Sequence, residues 1–147
     1  MTTRTGSTTT RTPAQLAALV FGVVFLLVGV LGFVPGLTSD VGDMGVAGPM
    51  SGAMLLGIFH VSVLHNIVHL LFGVAGIAMS RAPGSARSYL IGSGVIYLVL
   101  VIYGFLVPAD SAANFVPVNT ADNWLHVVLA VALLGAGLLL TPRAARR

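Results

Sequence analysis

Histidine and asparagine side chains stand in an otherwise apolar stretch, "HVSVLHNIVHLLFG" at residues 60–73. Imidazole and carboxamide groups are costly in hydrocarbon, so several of them in one apolar segment indicate a specific role. On an α-helix, one face about a third of a turn wide would carry seven polar or small residues: Ser62, His65, Asn66, His69, Gly73, Gly76 and Ser80. We expect this face to turn toward neighbouring helices, where polar groups find partners. His60 lies on the opposite side of the helix and is expected near the membrane interface.

The candidate cluster comprises three histidines and two asparagines: His65, Asn66, His69, Asn123 and His126. The first chemistry open to it is structural. Neutral imidazoles and amides, together with Tyr97 and Tyr103, would make interhelical hydrogen bonds worth about 0.6 to 2 kcal/mol each. A protein of this kind is structural or accessory, and no cofactor is expected.

Two ligand-binding alternatives use the same histidines. In a metal site, His65 and His69 would supply two nitrogens and His126 a third, although no carboxylate is expected at that depth to join them. In a haem site, His65 and His126 would ligate the iron from facing helices, and the glycines would leave space for the porphyrin. Proton relays and quinone contacts also suit histidine, but nothing else in the sequence favours them.

The composition predicts a membrane protein. The 147-residue chain is 56% hydrophobic and 7% charged, with a mean hydropathy of +1.00, so it cannot cover itself with a soluble surface. It contains no cysteine, which excludes disulfides, iron–sulfur clusters and thiolate metal sites. Its basic residues are spread along the chain, so no nucleic-acid partner is predicted. No nucleotide-binding or hydrolase motif is present, so we predict no catalytic residue and do not expect an enzyme.

Four apolar runs predict an all-α integral membrane four-helix bundle within residues 13–142. Each run is long enough to cross about 30 Å of hydrocarbon. The predicted spans are residues 14–34, 54–79, 89–107 and 124–140. Residues 1–12 are low in complexity and predict a disordered cytoplasmic tail, and residues 143–147 form a basic cytoplasmic tail. In the last loop, Thr120 is the expected N-cap of the fourth helix and Asp122 suits its first turn.

Charge predicts the orientation of the bundle. The basic residues lie before the first span, between the second and third, or after the fourth: Arg4, Arg11, Arg81, Arg87, Arg143, Arg146 and Arg147. The acidic residues all lie in the other two loops: Asp40, Asp43, Asp110 and Asp122. By the positive-inside rule, the N and C termini are cytoplasmic and the loops 35–53 and 108–123 face outward.

A weak internal repeat suggests a tandem duplicated helical hairpin. "LHNIVHLLFGVAG" (64–76) aligns with "LHVVLAVALLGAG" (125–137), which places His65 on His126 and Gly76 on Gly137. "GFVPG" (32–36) and "GFLVPA" (104–109) show a looser likeness. Such a duplication would relate the halves by an axis along the membrane normal. The alternative is a chance alignment of apolar residues.

The helix rise predicts that two of the histidines stand at similar heights. His65 precedes Arg81 by sixteen residues and His126 precedes Arg143 by seventeen, which places both about 24 to 26 Å from the cytoplasmic ends of their helices. We therefore expect the two side chains to face each other in the outer half of the membrane.

Three segments carry a resemblance to a known family: "FHVSVLHNIVHLLFGVAGIA", "YLIGSGVIYLVLVIYG" and "DSAANFVPVNTADNWLHVVLAV". They resemble bacterial four-span membrane proteins classed as domain of unknown function 4383. The resemblance implies a small multi-pass protein of the bacterial plasma membrane and brings no known activity. We expect its partners to be the lipid bilayer and, beyond that, a second copy or a partner membrane protein. The leading functional hypothesis is a structural or accessory protein, and the alternative is metal or haem binding through His65 and His126.

Overall fold

The computed structural model describes residues 10–140 and contains four α-helices. They are α1 (Pro13–Leu31), α2 (Val63–Met79), α3 (Pro83–Leu106) and α4 (Thr120–Leu139). Three of them, α1, α3 and α4, are long and apolar enough to cross a membrane, and α2 is a shorter apolar helix of 17 residues. The prediction of an all-α membrane bundle is confirmed. The predicted tails, residues 1–9 and 143–147 in particular, lie outside the described residues.

Local capping fixes where the first and last helices begin. Thr12 and Gln15 form a capping box at the start of α1, in which each side chain accepts a hydrogen bond from the other residue's backbone N–H. Asn119 and Asp122 form the same box at the start of α4, with both bonds at 3.0 Å. The predicted N-cap Thr120 is therefore wrong, because Asn119 provides the capping oxygen. Asp122 lies in the first turn, as expected.

The second helix begins nine residues after the start of the predicted second span. Residues 54–62 were expected to be helical, but they contain strands β2 (Met54–Leu55) and β3 (Phe59–His60), which form an antiparallel sheet with β1 (Thr38–Ser39). The turn between β2 and β3 has φ angles of +54° at Leu56 and +68° at Gly57. Since these angles lie outside the right-handed helical region, the helix cannot include them. It starts instead after Ser62, whose hydroxyl accepts from the His65 N–H.

The connections at one end of the bundle form a continuous cap, which we define as residues 32–62 and 107–119. We refer to this end as the loop end and to the opposite end as the termini end. Three hydrogen bonds join the first connection to the second connection and α4: Gly48 N–H to the Phe115 carbonyl (2.7 Å), Asn119 Nδ2 to the Ile58 carbonyl (2.8 Å) and His60 N–H to the Asp122 carboxylate (3.1 Å). The cap is therefore one bonded structure and not two separate loops.

The helices pack as two hairpins, α1 with α2 and α3 with α4, while α1 and α4 touch at few points. Glycines allow the close approach within each hairpin. A Cβ at Gly22 would lie 2.7 Å from the Ile77 backbone nitrogen, and one at Gly94 would lie 2.9 Å from the Leu134 backbone nitrogen. Gly22 and Gly94 are 72 residues apart in the chain. Their partners Ile77 and Leu134 are 57 residues apart. The contacts therefore support a duplicated hairpin, but with α2 and α4 aligned one helical turn away from the predicted alignment of His65 with His126.

Aromatic rings fill the middle of the bundle, where the two hairpins meet. Phe25 of α1 stacks on Tyr97 of α3 with ring centroids 5.4 Å apart and an interplanar angle of 9°. These two residues are also 72 positions apart. Phe72 meets both rings at steep angles, with centroids 5.8 and 5.9 Å away. This aromatic layer, together with the fully buried Leu133, separates the loop end from the termini end.

Candidate functional site

Every residue of the predicted polar face of α2 is buried, as the helical spacing requires. His65, His69 and His126 come together just beneath the cap, the first two from α2 and the third from α4. The exposed fractions of His65 and His126 are 6% and 3%. Both side chains line the same two cavities between the hairpins, and their matching depth stays a prediction. We call these three residues the histidine cluster.

Both ring nitrogens of His69 are occupied within the protein. The His65 and His69 rings stack with centroids 4.4 Å apart. Nδ1 of His69 lies 3.0 Å from the His65 carbonyl oxygen, and since a carbonyl only accepts, Nδ1 carries the hydrogen. Nε2 is then the acceptor and receives the hydroxyl of Tyr97 at 3.4 Å. Tyr97 also meets the His126 ring edge-on, with centroids 5.3 Å apart.

His65 and His126 each keep one nitrogen without a partner. Nδ1 of both rings is buried and makes no hydrogen bond to any other atom of residues 10–140, and the same is true of Oδ1 of Asn66 and Asn123. Buried polar atoms in folded proteins nearly always have a partner, and exceptions point to a bound molecule or a functional role. The asparagine oxygens pack against glycines, whereas the two histidines line cavities, so the two nitrogens are the ones that a bound molecule could reach.

The two asparagines of the predicted cluster lie apart from the histidines and serve helix packing. Asn66 packs against Gly32, and Asn123 packs against Gly104, where a Cβ at either glycine would overlap the amide oxygen. Nδ2 of Asn123 donates to the Gly104 carbonyl at 2.8 Å. Gly32 and Gly104 are again 72 positions apart. These contacts fix the ends of α1 and α3 against the second helix of each hairpin.

Two cavities flank the histidine cluster, and all three histidines line both. One, which we call the hairpin cavity after the β2–β3 turn above it, has a volume of about 130 Å³ and lies between α1 and α4. Its other walls include Val28, Phe59 and Leu129. The loop cavity, of about 120 Å³, lies between α2 and α3, where Val116 and Leu100 contribute to its walls. Each cavity is thus mainly apolar, with imidazoles on one side.

Sequence reasoning missed the contribution of Asp122. No carboxylate was expected at the depth of the histidines, but Asp122 lines the hairpin cavity with them. Asp122 lies in the first turn of α4, as expected, and the i, i+4 spacing places it one turn from His126 on the same face. The carboxylate accepts from the backbone N–H groups of His60 and Asn119. His60 belongs to β3 and not to the helix, and its Nε2 lies 2.5 Å from the Ser51 carbonyl.

Of the two tyrosines expected to bond between helices, only Tyr97 reaches the histidines. The hydroxyl of Tyr103 donates to the Ala113 carbonyl at 2.6 Å. It therefore supports the second connection of the cap.

The arrangement does not fit the predicted three-histidine metal site. Within residues 10–140, no group of three or more histidine, cysteine, aspartate or glutamate side chains is placed to hold a metal ion. His69 uses both nitrogens, which removes one of the three predicted ligands. Haem ligation by His65 and His126 stays a prediction.

Comparison with known proteins identifies the family. No curated protein and no solved structure matches the chain. The sequence model of the family described as Domain of unknown function (DUF4383) matches residues 15–139, which include all but the first two residues of α1 and all of the other helices. The chain therefore belongs to the DUF4383 family.

Proposed function

We propose that this protein is an accessory protein of the bacterial cytoplasmic membrane that binds a small, uncharged, ring-sized molecule in the hairpin cavity. The observation that carries the proposal is the pair of unpartnered Nδ1 atoms on His65 and His126. Buried polar atoms nearly always have a partner, and both of these atoms belong to side chains that line the hairpin cavity. The expectation that the protein forms oligomers or joins a partner membrane protein stays a prediction.

The size of the hairpin cavity supports a ligand built on one six-membered ring. An apolar cavity of about 150 Å³ engineered into a protein core takes up benzene. The hairpin cavity, at about 130 Å³, is close to that volume and has comparable apolar walls at Val28, Leu125 and Leu129. A ring therefore fits, and a fused multi-ring system does not.

The histidines favour a ligand whose ring carries an oxygen that can hydrogen-bond to an imidazole. A neutral imidazole offers one N–H donor and one acceptor nitrogen. A hydroxyl or carbonyl group on the ligand would pair with His65 or His126 and satisfy a nitrogen that the protein leaves free. Asp122 already accepts two backbone hydrogen bonds, so the ligand does not have to donate a hydrogen bond to the carboxylate. The favoured ligand class is an uncharged phenol or quinone.

Such a ligand would reach the cavity sideways from the lipid. Leu56 and Leu125 form part of the cavity wall and are also exposed on the outside of the bundle. The helices α1 and α4 touch at few points, which leaves an opening between them. We place the loop end outside the cell and both termini in the cytoplasm, because the arginines and aspartates segregate to opposite ends. Entry would then be from the outer leaflet.

The test uses the probe pair 4-fluorophenol and fluorobenzene, which differ only in the hydroxyl. Protein with ¹⁵N-labelled histidine rings is titrated in detergent micelles, and His65→Gln and His126→Gln assign the ring signals. We expect 4-fluorophenol to move the nitrogen signals of His65 and His126, and fluorobenzene to move them far less. Leu129→Phe, which fills the cavity, should abolish the shift, whereas Val128→Phe on the exposed side of the same turn should keep it.

Two results would overturn the proposal. One is the absence of any histidine shift at saturating 4-fluorophenol, and the other is an equal shift in Leu129→Phe and wild type. A separate titration with zinc chloride addresses the metal hypothesis. If zinc moves the ring signals and 4-fluorophenol does not, the metal site predicted from the sequence is correct.

A further inference from the structure

We infer that the loop cavity is a second binding site for the same class of ring-sized ligand, related to the hairpin cavity by the internal duplication. The inference rests on the function proposed for the hairpin cavity and extends it to a stoichiometry of two. It concerns a part of the molecule that the sequence repeat alone did not identify, because the cavity is formed between the two repeats.

The duplication maps one cavity onto the other. It carries α1 onto α3 and α2 onto α4, so the gap between α1 and α4 corresponds to the gap between α3 and α2. Residue by residue, Val28 in the hairpin cavity corresponds to Leu100 in the loop cavity, at the same spacing of 72 that relates Gly22 to Gly94. Leu129 and Leu125 in the hairpin cavity correspond to Phe72 and Val68 in the loop cavity at a spacing of 57, the spacing that relates Ile77 to Leu134 in the glycine contacts. Equivalent positions thus form equivalent walls.

The two cavities also agree in size and in polar groups. Their volumes are about 130 and 120 Å³, and His65 and His126 line both. Each cavity has one polar residue besides the histidines, which is Tyr97 in the loop cavity and Asp122 in the hairpin cavity. Both therefore present an apolar space for one ring with imidazole nitrogens at its side, and the second site takes an uncharged phenol or quinone like the first.

Access to the loop cavity follows the same pattern. Ile96 is part of its wall and is exposed on the outside of the bundle, between α2 and α3. Val116, from the second connection of the cap, lies in the wall of the loop cavity. It takes the place that the β2–β3 turn has in the hairpin cavity. Each site is thus reached from the lipid through its own gap between hairpins.

Sharing of the imidazoles makes the two sites interdependent. A neutral imidazole has a single N–H, so a ligand that accepts this hydrogen bond in one cavity fixes which nitrogen remains as an acceptor. The second ligand then meets a ring whose hydrogen is already committed. By linkage, each ligand changes the affinity for the other by the same factor.

The experiment is ¹⁹F NMR of 4-fluorophenol with the purified full-length protein, with empty micelles as the blank. We expect two protein-bound resonances and a stoichiometry of two. Leu129→Phe should remove one resonance and Leu100→Phe the other. Val128→Phe and Val99→Phe, which alter the exposed neighbours of those residues, should leave both resonances in place and confirm that the substitutions themselves are tolerated.

The outcomes separate this inference from the proposed function. A single bound resonance that Leu129→Phe removes and Leu100→Phe leaves unchanged overturns the second site while the proposed function stands. Removal of both resonances by either variant overturns two distinct sites in favour of one continuous chamber. No bound resonance in the wild-type protein overturns the proposed function as well. The wild-type stoichiometry decides the question even if a variant fails to fold.

Discussion

An alanine at Gly73 should destabilise the bundle, because α1 and α2 approach each other there backbone to backbone. A Cβ at this position would lie 2.6 Å from the Leu26 nitrogen and 2.7 Å from its Cα. Ordinary contact begins at 3.4 Å, so the helices must separate by about 0.8 Å. A backbone atom cannot rotate away as a side chain can. Overpacking of this kind costs roughly 1–3 kcal/mol, and the higher helix propensity of alanine returns about 1 kcal/mol.

We therefore expect a net loss of about 2 kcal/mol in the free energy of unfolding for Gly73→Ala, the upper part of the overpacking range less the gain in propensity. The measurement is equilibrium unfolding in mixed micelles, followed by circular dichroism and by the fluorescence of Trp124, the single tryptophan. Gly135→Ala in α4 is the matched control, because a Cβ there meets nothing within 4 Å. It should keep or slightly raise the stability. If the two variants unfold at the same point, the close approach of α1 and α2 is refuted.

Two further predictions concern the orientation of the bundle in the membrane and the turn between β2 and β3. The chain has no native cysteine, so cysteines introduced at Asp40 and Asp110 should react with an impermeant thiol reagent in intact cells and one at Ser85 should not; labelling at Ser85 would reverse the proposed orientation. Leu56 is held at φ +54°, which costs a residue other than glycine of the order of 1–3 kcal/mol. Leu56→Asn should therefore raise the free energy of unfolding by about 1 kcal/mol, because asparagine tolerates the left-handed region better. The same substitution should weaken 4-fluorophenol binding, because it removes an apolar side chain from the cavity wall. Lower stability together with unchanged binding would contradict this.

The helical parts of the site could be predicted because their information is periodic. The polar face of α2 repeats at the helical spacing, and a helix in lipid must turn such a face inward, so the burial of His65 and His69 follows from the sequence. The expectation that His65 and His126 share a depth came in the same way from their spacing to Arg81 and Arg143, because the rise per residue is fixed. What the spacing could not give is which ring nitrogens find partners, since this depends on Tyr97 of another helix.

The errors came from helix starts, where apolar content and backbone geometry give different answers. Residues 54–62 are apolar enough for a membrane helix, and only Gly57 hints at a turn; the left-handed angle at Leu56 has no signal in the sequence. At the fourth helix, the predicted N-cap was one residue late, because Asn119 and not Thr120 provides the capping oxygen. Asp122 was correctly expected in the first turn, but its i, i+4 spacing from His126 was not used, so its place in the wall of the hairpin cavity was missed.

The hydrogen bonds that join the two halves of the cap set an order on the assembly of the protein. A chain synthesised from its N terminus inserts α1 and α2 before the second connection and α4 exist. During that interval the His60 N–H and the Ile58 carbonyl lack the partners that Asp122 and Asn119 later supply. The first hairpin can pack through its glycines alone, but the cap closes only when the fourth helix has entered the membrane. Closure of the cap therefore marks completion of biogenesis, and a chain truncated before α4 would leave these backbone groups without their partners.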